Sequence, residues 1–350
     1  MLGILRSLAL PALILFASQP ALADAPDTRE KNLPAEAWQP PEKPAPPVIV
    51  QDYEPDPAMW RLADEDTTLY FFGTYHVLPE GFRWRSALLE KVIGEADEVV
   101  FESRSDDEEE IDFEAIFGGS AESIFAREPV SASLSEENQQ KWRKLASDME
   151  MPFFIFDRIP PVLTMLFVGV SISEMEGSQS ELGVETILEN EFRTAGKPIS
   201  AIEDPEQVMR NVLAIDEQSA IALLEQTLTE WDGESLRAFT GDEAAEQWAM
   251  EHSWARGRLE DEGFEDWGED PFSRTLYQVL LVDRNREWAG WIEERMKRPG
   301  TVLVAVGGGH FVGPDSVQAM LEARGMEVER LNPAPAVPEI EIVPVAPDAG

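Results

Sequence analysis

Apolar residues recur along this chain in two rhythms. Four short, nearly unbroken runs stand out: TLYFF at Thr68–Phe72, EVVF at Glu98–Phe101, PISAI at Pro198–Ile202 and TVLVAV at Thr301–Val306. They are mostly rich in β-branched or aromatic residues, the pattern of strands covered on both faces. Between the first two, FRWRSALLEKVIGEA at Phe82–Ala96 carries Ala87, Leu88, Val92 and Ile93 near helical spacing. Strand, helix and strand in quick succession make a βαβ unit, and its strands run parallel. Asp315–Arg324 reads as a further helix with Gly325 as its C-cap, and Met326–Leu331 as a last strand. The stretches 105–195 and 205–297 predict mostly helix. Ser135-Glu136-Glu137 opens one helix with polar and acidic residues, and Ala220–Leu228 is an apolar-rich run. Pro160–Ile172 is apolar, but it is short of the ~20 residues a membrane span needs, so it predicts a buried helix. The expected fold is α/β: a central, mostly parallel sheet flanked by helices, with a large helical insertion.

The flanks read differently. Residues 24–49 are rich in Pro and Ala, with Pro40-Pro41 and Pro46-Pro47, and residues 332–350 repeat the pattern. A linker and a disordered tail are expected there, leaving a folded unit at 50–331. No repeat of 20–50 residues is found. Residues 1–23 read as a secretory signal peptide. Arg6 supplies the positive start, Leu8 to Ala17 the short apolar stretch, and Ala21-Leu22-Ala23 a small-x-small cleavage site. The expectation is a periplasmic or secreted protein with no stable membrane span after cleavage.

Composition narrows the function classes. Hydrophobic residues make up 43% of the 350 residues, enough for a globular core. The formal charge of −40 repels nucleic acid and anionic lipid, whereas it attracts divalent cations and cationic peptides. A solvated acidic surface with no dedicated partner is the plainer account of that charge. The chain has no cysteine. Disulfides, thiolate metal sites, a cysteine nucleophile and a lipobox are therefore excluded.

Candidate chemistry lies at the strand ends. TLYFF runs into Gly73-Thr74-Tyr75-His76, EVVF into Glu102, PISAI into Glu203, and TVLVAV into Gly307-Gly308-Gly309-His310. In open α/β sheets, sites form at the carboxyl ends of the strands, and parallel strands would bring these groups to one rim. The glycines before each histidine would let the backbone turn sharply and a substrate approach closely. A lone histidine after a strand is usually an ordinary loop residue. Here, however, two of three histidines share one Gly-x-x-His frame. Two imidazoles with one or two carboxylates suit a divalent metal such as Zn, Mn or Co, or general acid–base chemistry without metal. His252 lacks the frame and reads as a surface or packing residue. Arg284 and Asn285 could orient a carboxylate or a substrate carbonyl, although a helix-surface pair is the simpler expectation. The glycine run lacks the Gly-Lys-Ser/Thr ending of a phosphate loop, and neither G-x-S-x-G nor H-E-x-x-H is present.

Several segments resemble the TraB/GumN family. They are Met59-Trp60-Arg61 with LYFFGTYHVLPEG and ADEVVFE, then ELGVETILENEFRTAGKPISAIEDPEQ, then LVDRNREWAGWI with VLVAVGGGHFVGPDSVQAMLEARGMEVERL. The resemblance spans about 50–331. It implies an α/β fold related to the erythromycin-esterase and ChaN-like group. Through the TIKI branch it implies metal-dependent proteolysis, with His76, Glu102 and His310 as catalytic and metal-binding residues. Glu203 would be a further ligand or the general base, and Arg284 would grip a substrate carboxylate. The cofactor implied is a divalent ion (Mn, Co or Zn), and the partner a peptide or small-molecule substrate. A metal-independent esterase-like hydrolase and a non-catalytic periplasmic binding or assembly protein are the alternatives. The chain departs from the family pattern at Glu185, where Asp is usual, and at Ala201-Ile202-Glu203-Asp204, which replaces a more usual Gly-Leu-Glu-Thr.

Overall fold

The computed structural model describes residues 49–104, 126–240, 248–259 and 267–332. The expected signal peptide at 1–23, nearly all of the linker and all but the first residue of the tail lie outside the described residues.

Eight strands follow one another along the described chain: β1 (Met59–Ala63), β2 (Thr67–Thr74), β3 (Leu78–Pro79), β4 (Glu98–Phe101), β5 (Ser178–Gln179), β6 (Ile199–Ala201), β7 (Gly300–Gly307) and β8 (Glu329–Arg330). Six form one sheet in the order β6-β4-β7-β2-β1-β8, and β3 with β5 forms a small second one. The four apolar runs lie side by side and parallel, as expected, in the order β6-β4-β7-β2, with β6 a half-buried edge strand. β1 and β8 add an antiparallel edge. The sequence reading did not list β1 as a strand, because Arg61 breaks the continuous apolar run that marks a strand covered on both faces. Met59, Trp60 and Leu62 nevertheless face the core. The expected last strand at Met326–Leu331 is a strand only over Glu329–Arg330, opposite Trp60 and Arg61, with the Leu331 N–H also donating to the Met59 carbonyl at 2.9 Å.

Helices flank the sheet. Ala87–Glu95 starts later than the Phe82–Ala96 pattern suggests, because the Ser86 side chain accepts the Leu89 N–H and sets the boundary. Leu89 and Val92 turn inward. Val184–Ala195 presents Val184, Leu188 and Phe192 to the same core and ends at Gly196, whose φ of 67° suits glycine. Asp283–Arg295 contributes Trp288, Ala289 and Ile292, and Val317–Glu322 contributes Val317 and Leu321. Past that last helix, the Met326 N–H reaches back to the Leu321 carbonyl around Gly325 at φ 82°, the expected C-cap.

The insertion has its own core, built by Glu136–Asp148, Pro161–Met175, Pro205–Leu213, Glu217–Glu230 and Pro271–Tyr277. Pro161–Met175 is buried nearly all round, as expected of a helix apolar on every face. Among the described residues, no helix is long and apolar enough to cross a membrane.

Candidate functional site

Register decides where the strand ends fall. Thr74 pairs with Gly307, and Phe101 pairs with both Ala305 and Ala201. The residues that follow each strand therefore emerge on one rim. Glu102 continues the ladder, with its carbonyl accepting the Glu203 N–H at 3.0 Å. Its carboxylate reaches across β7 and accepts the Gly307 N–H at 2.6 Å through Oε1. His310 follows in the short turn Gly308–Phe311, with Nε2 3.7 Å from the same oxygen. His76, Glu102 and His310 are all buried.

The glycines of the two Gly-x-x-His frames let the frames approach each other. A Cβ on Gly73 would stand 3.0 Å from the Gly308 Cα, so the two frames pack backbone against backbone. The Gly73 carbonyl accepts the buried Trp254 indole N–H at 2.7 Å.

Each imidazole is held through Nδ1. His76 Nδ1 lies 3.0 Å from Glu185 Oε1, and the Thr74 hydroxyl donates to the same oxygen. His310 Nδ1 lies 2.6 Å from Asn285 Oδ1. The Asn285 amide is turned by donating to the Asp315 carbonyl at 2.8 Å and the His310 carbonyl at 3.3 Å. With acceptors facing both Nδ1 atoms, the neutral rings carry their proton there and expose an Nε2 lone pair. Neither Nε2 has a hydrogen-bond partner, and both are buried. Burial works against protonation of His76, but the charge and hydrogen bond of Glu185 outweigh it and raise its pKa. For His310, burial comes first, then the nearby Arg284 and His76 charges. All act in one direction and hold its pKa well below the ordinary value, so the ring is neutral near pH 7.

Arg284 ties the acids together. Its Nε donates to Glu203 Oε2 at 2.9 Å and its Nη1 to the Leu280 carbonyl at 3.0 Å. Its Nη2 bridges Glu102 and Glu203, the latter at 2.6 Å. The guanidinium is buried, and Asn285 beside it is completely so. A helix-surface pair is thus ruled out. The fork is filled by two carboxylates of the chain, not left open for a substrate carboxylate. A five-residue π-helical turn, Gln278–Val282, precedes Arg284 and includes the Leu280 carbonyl that Arg284 caps. Such turns shift the helix register and often mark functional sites. Burial raises the Glu203 pKa against the opposing effect of Arg284 and of the Trp288 indole, which donates to Glu203 at 2.9 Å. The Trp288 ring also lies 4.1 Å from that of His310.

The structure thus gathers His310, Glu102, Arg284 and Glu203 in one hydrogen-bonded or near-contact cluster, with His76 close enough to be influenced by Glu102 and Arg284. His252 takes no part in these contacts. Its Nδ1 lies 2.7 Å from the Tyr53 hydroxyl and its ring packs on Phe82, so it is the packing residue expected. The sequence reading noted Glu185 only as a departure from a pattern and missed its grip on His76. Its position just after Gly183, whose Cβ would strike the His76 carbonyl at 2.1 Å, was the available signal.

A divalent ion can be tested against these donors. Two buried Nε2 atoms without partners, each ring oriented through Nδ1, are the pattern of metal-ligating histidines. The 3.7 Å between His310 Nε2 and Glu102 is within the span of two donors ~2.0–2.2 Å from one ion. Among the described residues, no three such side chains are gathered into a metal-holding group, and the Glu102 carboxylate is engaged by Arg284 and the Gly307 N–H. Each histidine presents a donor of the kind a divalent ion takes, and Glu102 is the acid that faces His310 Nε2.

A family model described as TraB/PrgY/gumN matches residues 58–330. No curated protein and no solved structure matches the chain.

Proposed function

The chain belongs to the TraB/PrgY/gumN family, and from that premise we propose that it is a divalent-metal-dependent hydrolase acting on a peptide or a small carbonyl substrate. The observation that carries the reading is the pair of buried Nε2 atoms left without partners while both Nδ1 atoms are held. His76, His310 and Glu102 would hold the ion. When bound, such an ion polarises a carbonyl and makes water more acidic.

The chain's own residues supply the rest. Glu185 and Asn285 fix the ring orientations, which keeps the donor atoms aimed without reorganisation. His310 is neutral near pH 7, so its Nε2 lone pair is available to an ion without a proton first leaving it. Arg284 sets the direction of Glu102 and Glu203 and neutralises one charge of the two. Glu203, with its raised pKa, is the acid placed to exchange a proton at the groove side of Arg284.

The test is elemental analysis of purified protein together with peptide and ester hydrolysis. Wild type should retain Mn, Co or Zn, the His76→Ala and His310→Ala proteins should retain much less, and chelator should abolish turnover until metal is restored. Activity that survives complete metal removal would instead establish a metal-independent hydrolase. The pairing of Arg284 with Glu102 favours that second reading, because the guanidinium competes with any cation for the carboxylate. If both histidine variants fold and keep the cellular function, the protein is a binding or assembly factor without turnover.

Export belongs to the same proposal. It is supported by Arg6, the apolar stretch Leu8 to Ala17 and the Ala21-Leu22-Ala23 cleavage site. N-terminal sequencing of protein recovered outside the cytoplasm should begin at Asp24, and an intact Met1 start there would count against it.

A further inference from the structure

A cavity of about 600 Å³ opens beside Arg284, within the ~300–1,000 Å³ common for ligand sites. Arg284, Glu203 and Trp288 form part of its wall. Through Trp288, whose ring lies 4.1 Å from His310, a single layer of side chains separates this groove from the imidazole. The groove therefore adjoins the site described above and shares Arg284, Glu203 and Trp288 with it.

Its charge is one-sided. Glu203, Asp204, Asp283 and Glu287 line it with one cation, Arg284; Arg210 and Arg286, outside the lining, stand 3.7 Å from Asp204 and 2.5 Å from Asp283 in solvent-exposed pairs that a ligand cation can exchange. Arg284 is also shared with Glu102, so its charge is already taken. Asp204 caps the helix Pro205–Leu213 through Oδ1, which leaves Oδ2 directed elsewhere, 3.7 Å from Arg210. Glu287 is exposed. Val208, Ile215 and Val279 supply apolar wall between the acids. Carboxylates set around apolar surface match side chains with an aliphatic stem and a cationic head. An anionic substrate would meet repulsion.

We propose that this groove is the substrate cleft and takes a basic, partly apolar peptide segment, whose lysine or arginine heads pair with Asp204, Asp283 and Glu287. The assignment rests on the hydrolase reading above and adds the class of substrate to it.

The test uses the full-length protein and three fluorescein-labelled peptides of one length: alanine–leucine sequences bearing lysines, the same with glutamines, and the same with glutamates. Fluorescence anisotropy reads occupancy whether or not the peptide is cut, and mass spectrometry of the same samples reads cleavage. The lysine peptide should bind tightest. Asp204→Asn with Glu287→Gln should weaken it about fivefold or more and leave the glutamine peptide unchanged. Asn caps a helix as well as Asp, so this variant keeps the fold, which circular dichroism checks. The control is Glu65→Gln with Glu95→Gln, two exposed acids near the amino ends of β2 and β4, away from the groove. It removes equal charge and should change nothing. If the control weakens binding equally, the protein's overall charge is responsible and the groove assignment is wrong. Equal affinity for the glutamine peptide would overturn the basic class. Binding as expected without cleavage, with or without added Mn, Co or Zn, would leave the groove standing and remove the hydrolase.

Discussion

Replacing Arg284 by methionine keeps an unbranched stem but not the guanidinium, and removes the positive charge set between Glu102 and Glu203. Four hydrogen bonds go with it: two to Glu203, one to Glu102 and one to the Leu280 carbonyl. Breaking a buried ion pair from one side costs about 3–5 kcal/mol, because the remaining charge is left unpaired. For a domain of this size, ~1 kcal/mol corresponds to ~2–4 °C, so a cost near ~4 kcal/mol lowers Tm by roughly 8–16 °C. Differential scanning calorimetry at pH 7.5 measures it.

The pH dependence has a definite sign. Burial already raises Glu203 above its unfolded value of ~4.3. A group shifted that way contributes stability that is fully present below the unfolded value and is lost as pH rises through the folded one. Without Arg284 the shift grows. The deficit of Arg284→Met against wild type must therefore be smaller at pH 5 than at pH 7.5. Adding Glu203→Gln should recover part of it at the higher pH. A deficit under about 1 kcal/mol, or one equal at the two pH values, would refute the account of a buried charge cluster.

Other expectations follow from single contacts. Gly183→Ala sets a Cβ 2.1 Å from the His76 carbonyl and should cost about 1–3 kcal/mol or more, seen as a lower Tm; a neutral result would mean the backbone moves freely there. Glu185→Gln removes what holds the His76 pKa up against burial, so NMR titration of the ring should show it fall. The stability tied to that raised value is present below ~6.5 and lost as pH rises through the folded value, so this variant should lose more stability near pH 6 than near pH 8. Asn285→Ala leaves the buried His310 Nδ1–H without an acceptor, a cost of about 1–3 kcal/mol, and should lower metal retention in the elemental assay; unchanged retention would show that the ring needs no holder.

The sequence alone determined the four parallel strands and the rim. A short apolar run buries its side chains by pairing into a sheet, and polar residues within a few positions of its end leave the sheet at that end. That is why His76, Glu102, Glu203 and His310 were legible as one set. The boundary at Ser86 was not, because a single side-chain cap settled it. Only the tertiary structure decided what each functional group touches. Glu185 meets Thr74 across 111 residues, Asn285 meets His310 across 25, and Arg284 meets Glu102 across 182. No local periodicity encodes such pairings. They arise because a buried charge or N–H must find a partner, and which partner stands in reach depends on how separate helices pack over the same strand ends.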